Sequence, residues 1–391
     1  MRRIYLDYAA TTPVRKEVIK AMIPYFNIKF GNPGSLHSFG QEAMGAIDGA
    51  RERIAKIFDV DFRGVLFCGS ATEANNLALR GVVANWRGNG VPRVVISSIE
   101  HESVLETART LEREKKIDLV LLPVDEDGII LLDELKKSLT KNTALVSIMY
   151  VNNEIGSVQP IKEISCIVSD FKKSLPPNPH PLTPIFHTDA VQAFSYFDCS
   201  LKELGVDVLT VSGHKCGGPK GVGVLVSTLP PNPHPLTPII TGGGQEFGLR
   251  SGTENVQNIV GCTEAFSVAQ KNRKKELKRV ELLRKEFIKG FLKIFPESKI
   301  NGVGKHAPHI VNIHLQEMNR EEFLTQADLL GVAFSSGSAC SARAHSASHV
   351  LSAMYGGDDK KINGVRASFG YQTTKEDIVE ALQRLSNIFG K

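Results

Sequence analysis

The chain has 391 residues, 42% hydrophobic and 23% charged, enough apolar content for one large core and a second, smaller one, so two domains are expected. The net charge of +5 is small for this length and is not gathered into a long basic block, which argues against direct nucleic-acid binding; the densest basic stretch, 271–285, interleaves Glu276, Leu277, Glu281 and Leu282 at helical spacing and reads as a solvated helix face. Six cysteines (Cys68, Cys166, Cys199, Cys216, Cys262 and Cys340) form no CxxC pair and no metal spacing, which fits a reducing compartment; with no apolar leader after Met1-Arg2-Arg3 and no long apolar span, a cytoplasmic protein without a membrane segment is expected.

From 64 to 226, short β-rich runs at 65–68, 93–98, 119–123, 144–151, 185–188, 208–212 and 222–226 alternate with amphipathic stretches at 73–86, 104–115, 131–139 and 161–172. That alternation predicts an α/β layer with a mostly parallel central sheet, whose strand-end loops carry the ligand. After Gly252 the pattern changes to a long helical stretch over 255–295 and a smaller α+β section with pieces at 309–315, 320–330, 333–335, 346–354, 365–369 and 375–388. The expected division is a large domain over 15–265 and a small domain formed by 1–14 together with 266–391. The run Leu-Pro-Pro-Asn-Pro-His-Pro-Leu-Thr-Pro-Ile occurs identically at 175–185 and 229–239. With five prolines in eleven residues each copy must be extended, and the pair reads as a duplicated surface spacer.

Two nucleophiles stand out. Lys215, in Ser212-Gly213-His214-Lys215, follows a predicted strand and precedes the glycine-rich Cys216-Gly217-Gly218-Pro219-Lys220-Gly221, where an amine has room to form a Schiff base. Cys340 ends Ser335-Ser336-Gly337-Ser338-Ala339-Cys340, a run with no bulky side chain, and is expected to be a mobile, reactive thiol. Asp189 falls at a predicted strand end, with Gln192 three residues on. Gly69-Ser70-Ala71-Thr72-Glu73 lies between a strand and a helix, where backbone N–H groups suit a phosphate, although a simple helix cap at Ser70 or Thr72 accounts for it equally well. His101, after another strand, could stack on a flat ring, while a lone loop histidine is more often a surface residue. Amine, carboxylate, ring stacker and phosphate cup are the parts a pyridoxal-phosphate site needs.

Nearly the whole chain carries matching segments, from Tyr5-Leu6-Asp7-Tyr8-Ala9-Ala10-Thr11-Thr12 through Phe30-Gly31-Asn32-Pro33, Val151-Asn152-Asn153-Glu154 and Arg250-Ser251-Gly252-Thr253-Glu254-Asn255 to Arg366-Ala367-Ser368-Phe369-Gly370. With these the chain resembles the pyridoxal-phosphate-dependent cysteine desulfurases of the NifS/IscS type, within the class V aminotransferase group. The resemblance implies fold type I, with a mostly parallel mixed central sheet in the large domain and a smaller α+β domain carrying the catalytic-cysteine loop. It implies that Lys215 holds the cofactor, that Asp189 pairs its ring nitrogen, that Gln192 and Asn153 face its ring oxygen, and that His101 stacks on the ring. Ala71, Thr72, Ser212 and His214 would line the phosphate cup, with Thr253 arriving from the other subunit of a homodimer. Asn32 and Arg366 would hold the substrate carboxylate.

The implied reaction converts L-cysteine to L-alanine with transfer of sulfur to Cys340 as a persulfide, with Lys215 and His101 moving protons, for delivery to an acceptor such as an iron–sulfur scaffold protein or a thiolation relay. An aminotransferase or β-lyase of the same fold that ignores Cys340 is the alternative enzyme, and a non-catalytic sulfur-transfer scaffold the alternative of another class. The chain departs from the family's usual pattern at Phe247, where arginine is common, at Ala347, where proline is common, and in ending soon after its last helix.

Overall fold

The computed structural model describes residues 2–176, 184–230, 235–316, 318–337, 348–356 and 362–389. Cys340, Ala347 and the central parts of both proline-rich copies lie outside the described residues. The strands are β1 (Ile4–Tyr5), β2 (Val65–Cys68), β3 (Arg93–Ser97), β4 (Asp118–Leu122), β5 (Thr143–Ser147), β6 (Ile185–Asp189), β7 (Val208–Ser212), β8 (Gly223–Ser227), β9 (Lys299–Asn301), β10 (Ile310–His314), β11 (Val332–Ala333) and β12 (Gly364–Ser368).

Among the described residues, β2 to β8 form a seven-stranded sheet in the order β2-β8-β7-β6-β5-β3-β4. Only β8 runs against its neighbours, pairing antiparallel with both β2 and β7. The sheet is therefore mixed but mostly parallel, as the alternating pattern predicts. β2 and β5 to β8 are buried along their whole length, which is why none shows the alternation of a half-exposed strand, and the polar His187, Thr188 and Asp189 of β6 are buried with the rest; β4, at the edge, is partly exposed.

Before this sheet come α1 (Lys16–Met22), α2 (Pro24–Asn27) and α3 (Ser38–Phe58); between its strands lie α4 (Ala71–Ala84), α5 (Glu102–Arg113), α6 (Leu132–Ser138), α7 (Ile161–Ser174) and α8 (Leu201–Leu204). α9 (Val256–Ile294) has 39 residues, about 58 Å at 1.5 Å per residue. Its first half buries Ile259, Cys262 and Phe266 in the core that also holds Ile47, Ile54 and Phe58 of α3. Its second half buries Val280, Phe287 and Phe291 in a separate core with Phe323, Val365, Phe369 and Leu385. One continuous helix thus serves both cores, and the sequence-drawn boundary at 265/266 falls inside it.

The second core lies beside a three-stranded antiparallel sheet, β12-β10-β9, with α10 (Arg320–Leu329), α11 (His349–Tyr355) and α12 (Lys375–Phe389) completing the C-terminal third. The N-terminus returns here: β1 pairs in parallel with β11, and Ile4 and Leu6 are buried among these residues.

The spacer reading of the proline-rich repeat needs correction for its second copy. Leu229 and Leu236 are buried in the core behind α4, and the Thr237 N–H donates to the Gly81 carbonyl at 3.0 Å, so both ends of that copy are packed structure. Phe247 sits in a left-handed conformation (φ 58°), following Glu246 at φ 49°. The Glu246 carboxylate grips the Arg51 guanidinium through two bonds of 2.7 and 2.8 Å, and Arg51 lies 4.8 Å from the Phe247 ring centre. A phenylalanine therefore covers one side of a buried ion pair at this position.

Candidate active site

The C-terminal ends of the parallel strands open into one cavity of about 370 Å³, walled by Ser70 to Thr72 after β2, His101 after β3, Met149 and Asn153 after β5, Asp189, Val191 and Gln192 at the end of β6, and Ser212, His214 and Lys215 at the end of β7. This is where an open α/β sheet carries its ligand. Of the residues expected from sequence, Ala71, Thr72, His101, Asn153, Asp189, Gln192, Ser212, His214, Lys215 and Arg366 all line it. Asn32 and Thr253 do not: both are exposed, and the Asn32 side-chain oxygen accepts from the Gly34 N–H at 2.9 Å.

The Lys215 amine donates to the carbonyls of Ala9 and Ala10 at 2.7 and 2.6 Å. The N-terminal segment is itself fixed on the same loop. Thr12 donates through its N–H and its hydroxyl to the His214 carbonyl and accepts from the Gly217 N–H, while Gln192 donates to Ala9 O at 2.9 Å. The first dozen residues therefore form one wall behind the amine.

Asp189 is held at the strand end by the Val191 N–H (3.0 Å) and by the Asn75 side-chain amide (2.8 Å). The other hydrogen of the same amide reaches the Ser103 hydroxyl at 2.8 Å, and that hydroxyl lies 2.8 Å from His101 Nδ1, which also accepts from the Ser103 N–H. A relay Asp189–Asn75–Ser103–His101 thus connects the carboxylate to the imidazole. Burial lowers the His101 proton affinity, with Asp189 opposing, so the ring favours its neutral form, with Nδ1 accepting from the Ser103 N–H. His214, beside Lys215 and Lys220 and mostly buried, is pushed down to about 3 and is neutral as well.

At the mouth of α4 both readings of Gly69 to Glu73 hold at once. Ser70 is the N-cap, accepting from the Glu73 N–H at 3.0 Å, and the Glu73 carboxylate reaches back to the Gly69 N–H at 2.9 Å. Ala71 and Thr72 nevertheless line the cavity, at a helix start whose first N–H groups have no intrahelical acceptor. Gly223 permits this closeness: a Cβ there would fall 2.2 Å from the Ser70 carbonyl carbon.

Arg366, on β12, is the largest fully buried side chain. It pairs with Asp7 at 2.7 Å and donates to the carbonyls of Asn153 (2.7 Å) and Gly337 (2.5 Å), so it joins the small sheet to the cavity wall. Among the described cysteines none forms a disulfide; Cys68, Cys199, Cys216 and Cys262 are buried, which raises their thiol pKa values and keeps them protonated. Cys166 is exposed on α7 and does not line the cavity.

The cavity residues fit pyridoxal phosphate. An amine, a fixed carboxylate, a neutral imidazole and a helix start converge on one space, and 370 Å³ falls within the usual range for a small-molecule site. Sequence reasoning missed Asn75, Ser103 and Glu100. Glu100 is fully buried, accepting from the Ser97 hydroxyl (2.6 Å) and the Met149 N–H (2.8 Å), and so ties the ends of β3 and β5 together beneath the cavity. Burial raises its carboxyl to about 8 from the ordinary 4.5. It stays protonated in the fold at neutral pH but ionises in the unfolded chain. Its contribution to stability is full below about pH 4.5 and is lost as pH rises to about 8, up to about 5 kcal/mol at about 1.4 kcal/mol per unit. Glu100→Gln, which keeps the acceptor and cannot ionise, should gain on the parent protein as pH goes from about 5 to 8 in urea-unfolding midpoints; parallel pH curves for the two proteins would contradict this.

This fold and this gathering of strand-end residues define a fold type I pyridoxal-phosphate protein, and the model of the aminotransferase class-V family matches residues 4–382. The chain belongs to that family. It is 41% identical over 391 residues to a cysteine desulfurase IscS of Dictyoglomus turgidum, covering 100% of this chain and 95% of that one, and 38% identical to a cysteine desulfurase IscS of Rickettsia massiliae, covering 99% and 91%. Among solved structures it superposes on a NifS-like protein with a TM-score of 0.88 at 32% identity, covering 99% of both chains, and on SspA in complex with cysteine with a TM-score of 0.80 at 31% identity, covering 94% and 98%.

Proposed function

We propose that this chain is a pyridoxal-phosphate-dependent cysteine desulfurase that converts L-cysteine to L-alanine and places the sulfur on Cys340. The observation that carries this is the convergence of Lys215, Asp189, His101 and Arg366 on one cavity whose rim includes Gly337, three residues before Cys340 in the chain. When bound, pyridoxal phosphate supplies an electron sink for bond breaking at the substrate α-carbon. Lys215 would hold it and move the substrate α-proton, Asp189 would keep its ring nitrogen protonated, His101 would cover a ring face, Gln192 and Asn153 would face its ring oxygen, and Ala71, Thr72, Ser212 and His214 would receive its phosphate.

Arg366 takes the substrate carboxylate. In the transfer the substrate Cβ–S bond breaks, an S–S bond to the Cys340 thiolate forms, and Cβ takes the electron pair and a proton. A persulfide left on the enzyme blocks the next turnover, so an acceptor such as an iron–sulfur scaffold protein takes the sulfur on. Incubation with L-cysteine should give alanine together with a persulfide mapped to Cys340. Pyruvate and ammonia without the persulfide would turn the assignment to a β-lyase.

The working unit is a homodimer. Ile23, Phe26, Ile28 and Phe30 are all more than half exposed on one short stretch, and Thr253 is exposed, as a residue that serves a second copy's phosphate cup must be. A cytoplasmic location accords with the free thiols among the described residues. For Arg366→Lys, loss of the planar two-pronged donor should raise the KM for cysteine ten- to hundredfold, the equivalent of about 1.5–3 kcal/mol for a hydrogen bond to a charged group, with the visible absorption of the cofactor unchanged. A KM within twofold of the parent would remove Arg366 from substrate binding.

A further inference from the structure

Resting on the reading that Cys340 takes the sulfur, we propose that Glu154 is a positioning residue for that transfer: its carboxyl holds Ser348, at one end of the segment that carries Cys340, and lies beside Gly337, at the other end, whose carbonyl Arg366 holds. These ends are eleven positions apart in sequence. The Ser348 hydroxyl donates to Glu154 Oε2 at 2.6 Å while accepting from the Leu351 N–H, so the same serine caps α11. Gly337, at φ 102°, lies beside the same oxygen: a Cβ there would fall 2.7 Å from Glu154 Oε2, so any side chain at 337 would push the carboxylate away from Ser348.

The frame behind Glu154 is rigid. Its N–H donates to Asn152 Oδ1 at 2.8 Å and its carbonyl accepts from the Asn312 amide of β10 at 3.3 Å. Next to it, Asn153 gives its carbonyl to Arg366, which also holds the Gly337 carbonyl. One turn therefore sets the cavity wall, the guanidinium and both segment ends relative to one another. Glu154 Oε1 is buried and has no hydrogen-bond partner among the described residues, an arrangement that packing alone does not call for.

The test compares holoenzymes. E154Q keeps the acceptor for Ser348 and should stay within about threefold of the parent. E154A and S348A should each lower the rate of alanine formation at saturating cysteine at least about tenfold, with KM and the visible absorption of the cofactor unchanged, and the double variant should be no worse than either single one. In the resting enzyme without cysteine, iodoacetamide labelling of Cys340, mapped by peptide mass with Cys166 as internal reference, should change at least about threefold in E154A and S348A and not in E154Q. Parental turnover and labelling in E154A and S348A, or an E154Q as impaired as E154A, would overturn the proposal. If E154A does not fold, S348A carries the same readouts. A C340S enzyme that still forms alanine at the parental rate sinks the reading of Cys340 itself; an inactive C340S beside a fully active S348A sinks only the role of Glu154.

Discussion

Replacing Lys215 with alanine is expected to abolish turnover, by at least about a thousandfold, because one side chain both holds the cofactor and moves the substrate proton. Borohydride treatment of the parent followed by peptide mapping should find a pyridoxyl group on the peptide containing Lys215, and the same treatment of the variant should find none anywhere. The fold should tolerate the change. The amine's bonds run to the carbonyls of Ala9 and Ala10, each already placed by a wider set of contacts between residues 4–12 and the rest of the chain, so a small drop in stability accompanies a complete loss of chemistry. A reducible adduct in the variant would move the assignment to another lysine; the one other lysine on the cavity wall among the described residues is Lys220.

Cys340→Ser is the complementary case. A serine hydroxyl cannot accept sulfur as a persulfide, so alanine formation should fall at least about a hundredfold, while the cofactor stays on Lys215 and its absorption still changes on adding cysteine. The described thiols offer no replacement. Four are buried and protonated, and Cys166 stands on a helix away from the cavity. Undiminished alanine production in this variant would mean that the sulfur leaves without visiting the enzyme's own thiol.

What could be read from the chain alone divides along a physical line. Most of the runs that became β2 to β8 were legible because strands covered on both faces are rich in β-branched and apolar residues, and the positions of His101, Asp189 and Lys215 followed from lying at or just after the ends of such runs. α3 was not anticipated, although its 21 residues bury Ile47, Ile54 and Phe58, because glycines at 40, 45 and 49 interrupt the helical pattern. Asn75, Ser103, Glu100 and Glu154 were missed as site components for a different reason. Each is a common polar residue, and only the packing of α4, α5 and β10 around them turns it into a buried partner with a fixed acceptor or donor. A spacing pattern marks residues that repeat along one element; it does not mark residues from several elements that meet.

The N-terminal wall behind Lys215 has a consequence for how the protein comes to be made. Its strand β1 docks on β11, and the Ser368 N–H must donate to Leu6 O before the wall is complete. This stretch is thus made long before one of its partners, waiting while more than three hundred residues follow, tens of seconds at about 5–20 residues per second. Ala9 and Ala10 can meet Lys215 once the chain is made to Gly217, but β11 and Ser368 come later still, so all residues of the large sheet exist before the wall can be finished. A bulky fusion placed directly ahead of Ile4 would therefore disturb the chemistry more than its distance along the sequence from Lys215 suggests.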